Sequence, residues 1–91
     1  NNAVINFKTA TSDILPDSKY DFIFANILHN VLANIMPDLK RIMKKGAKIV
    51  LSGILEGKED IVIDAVRKNK LKLIEKVKQN EWIALIAQKE D

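Results

Sequence analysis

Asn26 is the residue of this chain best placed to do chemistry. It closes the run Tyr20-Asp21-Phe22-Ile23-Phe24-Ala25 and is followed by Ile27 and Leu28. A run of mostly bulky apolar residues reads as a strand buried on both faces, as in parallel sheets with helices above and below. In open α/β sheets ligands bind just beyond the carboxyl ends of the strands. An amide there can both donate and accept hydrogen bonds. Other side chains invite a chemical reading but have plainer ones. His29, the only histidine, follows Asn26 closely and has a suitable ordinary pKa for a general base. No partner residue accompanies it, so it reads as an incidental residue at a helix start. Trp82 and Tyr20 could stack on a base or an adenine; packing in a hairpin and at a strand entry accounts for them more simply. Asp38, Asp60 and Asp64 are spaced for a solvated helix face and not for a metal cluster. Ser52 lacks the G-x-S-x-G frame of a hydrolase nucleophile.

The elements that position Asn26 follow from periodicity. Residues 4–10 form a short mixed run, plausible as a strand, followed by the polar turn Thr11-Ser12-Asp13 and a Pro- and Asp-containing connection. After the central strand, Leu32, Ile35, Met36, Leu39, Ile42 and Met43 recur at spacings of three and four, which predicts an amphipathic helix. Pro37 inside it predicts a kink or a fresh start. Lys44-Lys45-Gly46 is expected to close the helix with cations and a glycine. Residues 47–52 then read as a second buried strand ending in Gly53-Ile54-Leu55. Residues 56–69 read as a second helix, with Ile61, Val62, Ala65 and Val66 turned to the sheet. Residues 71–78 and 82–88, separated by the turn Gln79-Asn80-Glu81, predict an antiparallel hairpin. Strand–helix alternation of this kind specifies a parallel sheet.

Composition narrows the classes. With 47% hydrophobic and 30% charged residues the chain is of globular type, and 91 residues allow one small domain at most. It has no cysteine, which excludes disulfides and thiolate metal sites and fits a reducing compartment. No run approaches a membrane span and no secretory leader opens the chain, so a cytoplasmic location is expected. The net charge is only +3, yet it is clustered: Lys40, Arg41, Lys44, Lys45 and Lys48, then Arg67, Lys68, Lys70, Lys72, Lys76 and Lys78. Such clusters suit RNA or an acidic partner. Without interleaved aromatics for base stacking, a helix end and a solvated surface explain them better.

The segments YDFIFANIL, PDLKRIMKKGAKIVLSGIL and NEWIALIA resemble those of the ribosomal protein L11 methyltransferase family, within the class I S-adenosylmethionine-dependent methyltransferases. The likeness runs over residues 12–89. It implies an α/β fold: the C-terminal half of a Rossmann-like methyltransferase sheet, with parallel strands, two helices and a terminal antiparallel β-hairpin. It also implies that residues 1–91 are a single partial domain, the C-terminal fragment of a catalytic domain. The cofactor would be S-adenosylmethionine and the partner a ribosomal protein substrate whose amino groups are methylated. By resemblance, Asn26 lies beside the methionine part of the cofactor, Ser12 and Asp13 line its adenine side, and Ile27 and Leu28 form pocket wall. An amide suits in-line methyl transfer to an amine: it aligns the acceptor and takes its hydrogen bond without burying a carboxylate.

The same resemblance defines what is lacking. No GxGxG-type loop occurs, the three glycines being Gly46, Gly53 and Gly57, and the acid that would hold the ribose is missing too. The fragment alone is therefore expected to be inactive. In the family's sheet the strand from Tyr20 would pair with a first strand that this chain lacks. Its bare edge is expected either to form a dimer or to be covered by residues 4–10. Two other readings stand beside this one: a non-catalytic RNA- or protein-interaction module, and a methyltransferase acting on a small molecule or nucleobase. The sequence Asn26-Ile27-Leu28-His29 departs from the Asn-Pro-Pro-aromatic pattern of relatives that act on planar groups, which favours a protein amine and no direct nucleic-acid contact.

Overall fold

A computed structural model describes residues 2–6 and 17–90. In chain order these form β1 (Asn2–Asn6), β2 (Tyr20–Asn26), α1 (His29–Ile42), β3 (Met43–Leu55), α2 (Glu59–Lys68), β4 (Lys72–Gln79) and β5 (Trp82–Gln88). The strands make one sheet in the order β1-β2-β3-β5-β4. β1, β2 and β3 run parallel, while β5 is antiparallel to both β3 and β4. The parallel unit with a terminal antiparallel hairpin thus has the architecture expected. Asn80, with φ of 57°, turns the hairpin together with Glu81; an asparagine tolerates that left-handed conformation better than most residues.

Both helices lie on one face of the sheet. Leu32, Met36, Leu39 and Ile42 of α1 and Val62, Ala65 and Val66 of α2 form one buried cluster with Ile23, Ala25, Ile49, Leu51, Ile83, Leu85 and Ala87 of the strands. Alternation along each strand sends the intervening side chains to the other face. There Phe22 is exposed and Phe24, Val50, Ala84 and Ile86 are only partly buried. The expectation that β2 is buried on both faces is therefore corrected. Its burial alternates from Phe22 onward, because among the described residues no helix covers the second face.

Several local expectations also change. Helix α1 passes through Pro37 without a fresh start; the ring lacks an N–H for the carbonyl of Ala33, and Pro37 lies on the exposed side. Lys44-Lys45-Gly46 does not close α1. The chain becomes extended at buried Met43, so Lys40 and Arg41 supply the cations of the last turn. Lys44 to Ala47 fall where the register jumps between the pairs Tyr20–Met43 and Phe22–Lys48, a bulge. Gly46 there has φ of 85°. The α1 carbonyls are met from the far end of the chain: Lys89 Nζ donates to Lys40 O at 3.2 Å and to Met43 O at 3.0 Å. Helix α2 is shorter than expected and Ile61 points outward, 46% exposed, while Val62 is fully buried. The outer edge of β2 is not bare. It is paired with β1 over residues 2–6, and among the described residues the sheet's free edge on that side belongs to β1; residues 7–10 of the expected run lie outside the described residues.

Candidate functional site

The site forms where β2 and β3 end. Asn26 is the last residue of β2 and is exposed beyond its pairing partner Ser52. The ladder continues one residue further, through Ile27 N–H to Ser52 O at 3.3 Å. Ile27 then turns inward and is 2% exposed, whereas Leu28 turns out at 55%. Leu28 precedes α1 with extended torsions and gives the helix no side-chain cap, and the first turn of α1 carries no acid.

Opposite Asn26, β3 has an irregular register against β5 between Leu51 and Ile54. The extra length falls at Ser52-Gly53, where Gly53 takes a φ of 82°. A side chain at Gly53 would meet Asn26 Oδ1 at 2.7 Å, Ile27 O at 3.2 Å and Ile27 N at 3.4 Å. The glycine therefore makes room for the amide. Because β5 runs antiparallel, its first residue, Trp82, arrives at the same end as the last residues of β2 and β3. Asn26, Ile27, Leu28, Gly53 and Trp82 together line a cavity of about 200 Å³. None of these side chains is charged. A hydrogen-bonding amide in an apolar, uncharged recess can orient a polar group without holding an ion.

The residues singled out from sequence fare differently. Asn26, Ile27 and Leu28 share this cavity. Ser12 and Asp13 lie outside the described residues. His29 is partly buried at the start of α1 and does not line the cavity. Trp82 does line it, 48% exposed, which corrects its reading as hairpin packing. Gly53 was not singled out for the site either. The signal for both was topological: an antiparallel last strand begins where parallel strands end. Among the described residues no group of three or more His, Asp or Glu could hold a metal ion. A larger groove of about 380 Å³ between the helices, with Asn34, Pro37, Ile61, Asp64 and Lys68, lies away from the ends of β2 and β3 and brings no reactive constellation together.

Much of the basic charge is locally paired. Arg41 bonds Asp17 and approaches Asp38 at 3.9 Å, and Lys44 reaches Asp21 at 3.5 Å. Lys76 lies 3.6 Å from Glu59, Lys72 4.0 Å from Glu90, and Lys78 is bonded to Glu56. Glu59 also accepts a hydrogen bond from Gly57 N–H at 2.6 Å. Its carboxyl is held below the usual range, first by a bond from its own backbone amide and then by Gly57 and the charge of Lys76. Bonding to Glu56 raises Lys78.

The α/β fold, with β2 and β3 parallel and the antiparallel β5-β4 hairpin beside them, matches that of S-adenosylmethionine-dependent methyltransferases. Solved structures agree. A methyltransferase from Aquifex aeolicus superposes with a TM-score of 0.65 at 18% identity, covering 82% of this chain and 48% of the other. A Burkholderia thailandensis 1,6-didemethyltoxoflavin-N1-methyltransferase, solved with S-adenosylhomocysteine, gives 0.69 at 8% identity over 88% of this chain and 48% of that one. Likenesses at these identities establish the fold. The sequence narrows it further: residues 1–90 match the family model described as Ribosomal protein L11 methyltransferase (PrmA), and the chain belongs to that family. The Desulforapulum autotrophicum ribosomal protein L11 methyltransferase is 35% identical over 89% of this chain and 27% of its own length. For the Dictyoglomus thermophilum enzyme the values are 28%, over 100% of this chain and 30% of that one. The crystal structure of the L11 methylase from Lactobacillus delbrueckii subsp. bulgaricus has a TM-score of 0.75 at 29% identity, covering 86% of this chain and 40% of that one. The chain thus spans under a third of the curated relatives' length. No helix among the described residues is long and apolar enough to cross a membrane.

Proposed function

We propose that this chain is the C-terminal part of the catalytic domain of an S-adenosylmethionine-dependent methyltransferase acting on amino groups of ribosomal protein L11. The observation that carries the reading is Asn26: an exposed amide at a parallel-strand end, given room by Gly53, in a chain of this family. When bound, the cofactor supplies an electrophilic sulfonium methyl. Asn26 accepts a hydrogen bond from the acceptor amine, which aligns the nitrogen lone pair. Ile27 and Leu28 form the apolar wall beside it.

Two features support a partial domain. The cavity, at about 200 Å³, falls below the roughly 300 Å³ at which small-molecule sites begin, so it fits one end of the cofactor beside an acceptor and not the whole of it. The sheet face bearing Phe22, Phe24, Val50 and Ile86 is apolar and uncovered by the described helices. Ser12 and Asp13 belong to the adenine side in this reading, and the chain alone is inactive. The local pairing of Arg41, Lys44, Lys72, Lys76 and Lys78 supports a solvated surface in preference to an RNA-binding module.

The test is Asn26→Ala in the full-length protein, assayed for L11 methylation and titrated calorimetrically with S-adenosylmethionine. A loss in turnover on the order of a hundredfold is expected from a lost alignment contact. Unchanged turnover and unchanged cofactor affinity would sink the role given to Asn26.

A further inference from the structure

Ion pairs do not account for all the basic charge of this chain. Arg41, Lys44 and Lys72 are matched by Asp17, Asp21 and Glu90. Lys45, Lys48, Arg67, Lys68 and Lys70 are exposed, and among the described residues none of them has an acidic partner. The two stretches of sequence that carry them meet at one end of the sheet, opposite the Asn26 site. β3 enters the sheet there and β5 leaves it, so that Lys48 pairs with Gln88 and Gln88 with Lys72. Three adjacent strands thus set Lys48 and Lys72 about 10 Å apart on the face away from the helices. The bulge bearing Lys45 is tied to the same strand end: Gly46 N–H donates to Lys89 O at 2.6 Å, and Gln88 Nε2 to Gly46 O at 3.1 Å. Helix α2 ends here too, with Arg67 and Lys68 in its last turn. Lys70 N–H to Arg67 O and Leu71 N–H to Val66 O, both 3.0 Å, close that helix. Lys70 has a φ of 59°, a conformation in which glycine or asparagine is the ordinary residue.

We propose that this end of the domain is a second interaction surface, one that holds the phosphate backbone of double-helical RNA. Cations at a helix end complement the helix dipole, which accounts for Arg67 and Lys68. That local explanation does not reach Lys45 and Lys48, which lie in a strand, or Lys70, which follows the helix in a conformation unfavourable to lysine. The exposed apolar side chains are placed elsewhere. Leu28, Leu55 and Trp82 stand at the site end and Ile61 on α2, while Phe22 and Ile74 only border the basic end. A protein partner would need an apolar core to its contact. Single-stranded RNA would need aromatic rings for its bases. A duplex needs neither, because it is gripped through phosphates and 2′-hydroxyls along its grooves. The choice of RNA over DNA rests on the reading above, in which the substrate is a protein of the ribosome. Because the cations and Asn26 stand at opposite ends of the parallel strands, RNA can be held while the site stays open to its protein substrate.

The experiment measures the full-length protein against a fluorescein-labelled RNA duplex about 16 base pairs long, by anisotropy over a potassium chloride series. With four phosphates neutralised, binding should weaken about a hundredfold between about 50 and 200 mM salt. The triple variant Lys45→Gln/Lys48→Gln/Lys68→Gln should flatten that dependence by about two in log–log slope. Lys76→Gln/Lys78→Gln, towards the other end of β4, should leave it as it is. Lys70→Gly separates binding from folding. Glycine suits the backbone there, so this variant should melt at or above wild type while binding the duplex about fivefold more weakly at about 100 mM salt. No binding at low salt, or a salt dependence that the triple variant leaves unchanged, overturns the proposal. A polyglutamate peptide that displaces the duplex with equal affinity does so too, by making this end a site for acidic proteins, as does a DNA duplex bound as tightly as RNA. All the variants should methylate L11 as wild type does when RNA is left out. Wild-type protein that binds the RNA duplex but never methylates L11 refutes the methyl-transfer reading and not this one.

Discussion

Gly53→Ala tests the architecture of the site most directly, because the substitution acts on two things at once. Gly53 holds a φ of 82°, where an L-residue costs about 1–2 kcal/mol relative to glycine. Its new methyl group would also stand 2.7 Å from Asn26 Oδ1, closer than carbon and oxygen tolerate, and 3.2 Å from the backbone oxygen of Ile27. The amide is the end of a side chain and can swing away; the Ile27 backbone, held by the 3.3 Å bond to Ser52, cannot move as freely. The two other glycines provide the control. Gly46 and Gly57 have φ of 85° and 93°, with nothing within 4 Å of an added Cβ. Alanine at either carries the backbone term alone. For a chain of this size about 1–2 kcal/mol lowers the melting temperature by roughly 4–16 °C. Thermal melts of the three variants, followed by circular dichroism, separate the terms: Gly53→Ala should melt below both others. The Asn26 side-chain amide resonances should move in Gly53→Ala and stay put in Gly46→Ala. If Gly53→Ala melts with the controls and leaves those resonances in place, the claim that Gly53 makes room for Asn26 is wrong.

Glu59 gives a pH prediction. Its folded pKa lies below the ordinary 4.5, so its contribution is present above that value and is lost as pH falls through the folded pKa. Denaturant melts from pH 6 downwards should show a shallower acid decline in Glu59→Gln than in wild type; parallel declines would refute it. Lys89→Met removes the ammonium donor to the Lys40 and Met43 carbonyls while keeping an apolar stem. It should cost about 1–2 kcal/mol in chemical denaturation and speed amide exchange in the last turn of α1. An unchanged midpoint would show that water replaces the cap without loss.

Much of this protein is legible in its sequence because the signals are local. The spacing of Leu32, Met36 and Leu39 specifies α1, and the turn residue Asn80 specifies the hairpin. The position of Asn26 at a strand end follows from the apolar run before it. Where the reading went astray, non-local contacts decided. Residues 44–46 look like a helix stop, but pairing of Met43 with Tyr20 draws the chain into β3 four residues before the expected start at Ala47. Phe22 and Phe24 look fully buried, yet both described helices pack on the opposite face.

The sequence by itself determined the elements, their order and the amide that ends the central strand. Periodicity, turn chemistry and side-chain type are properties of neighbouring residues. Only the tertiary structure decided which residues join Asn26. Trp82 is 56 positions away along the chain, by the numbering of the two residues, and it reaches the site because β5 inserts antiparallel between β3 and β4. Gly53 acquires its role from the register irregularity that this pairing imposes. Strand pairing depends on hydrogen bonds between distant segments, and no local pattern records which segments will meet.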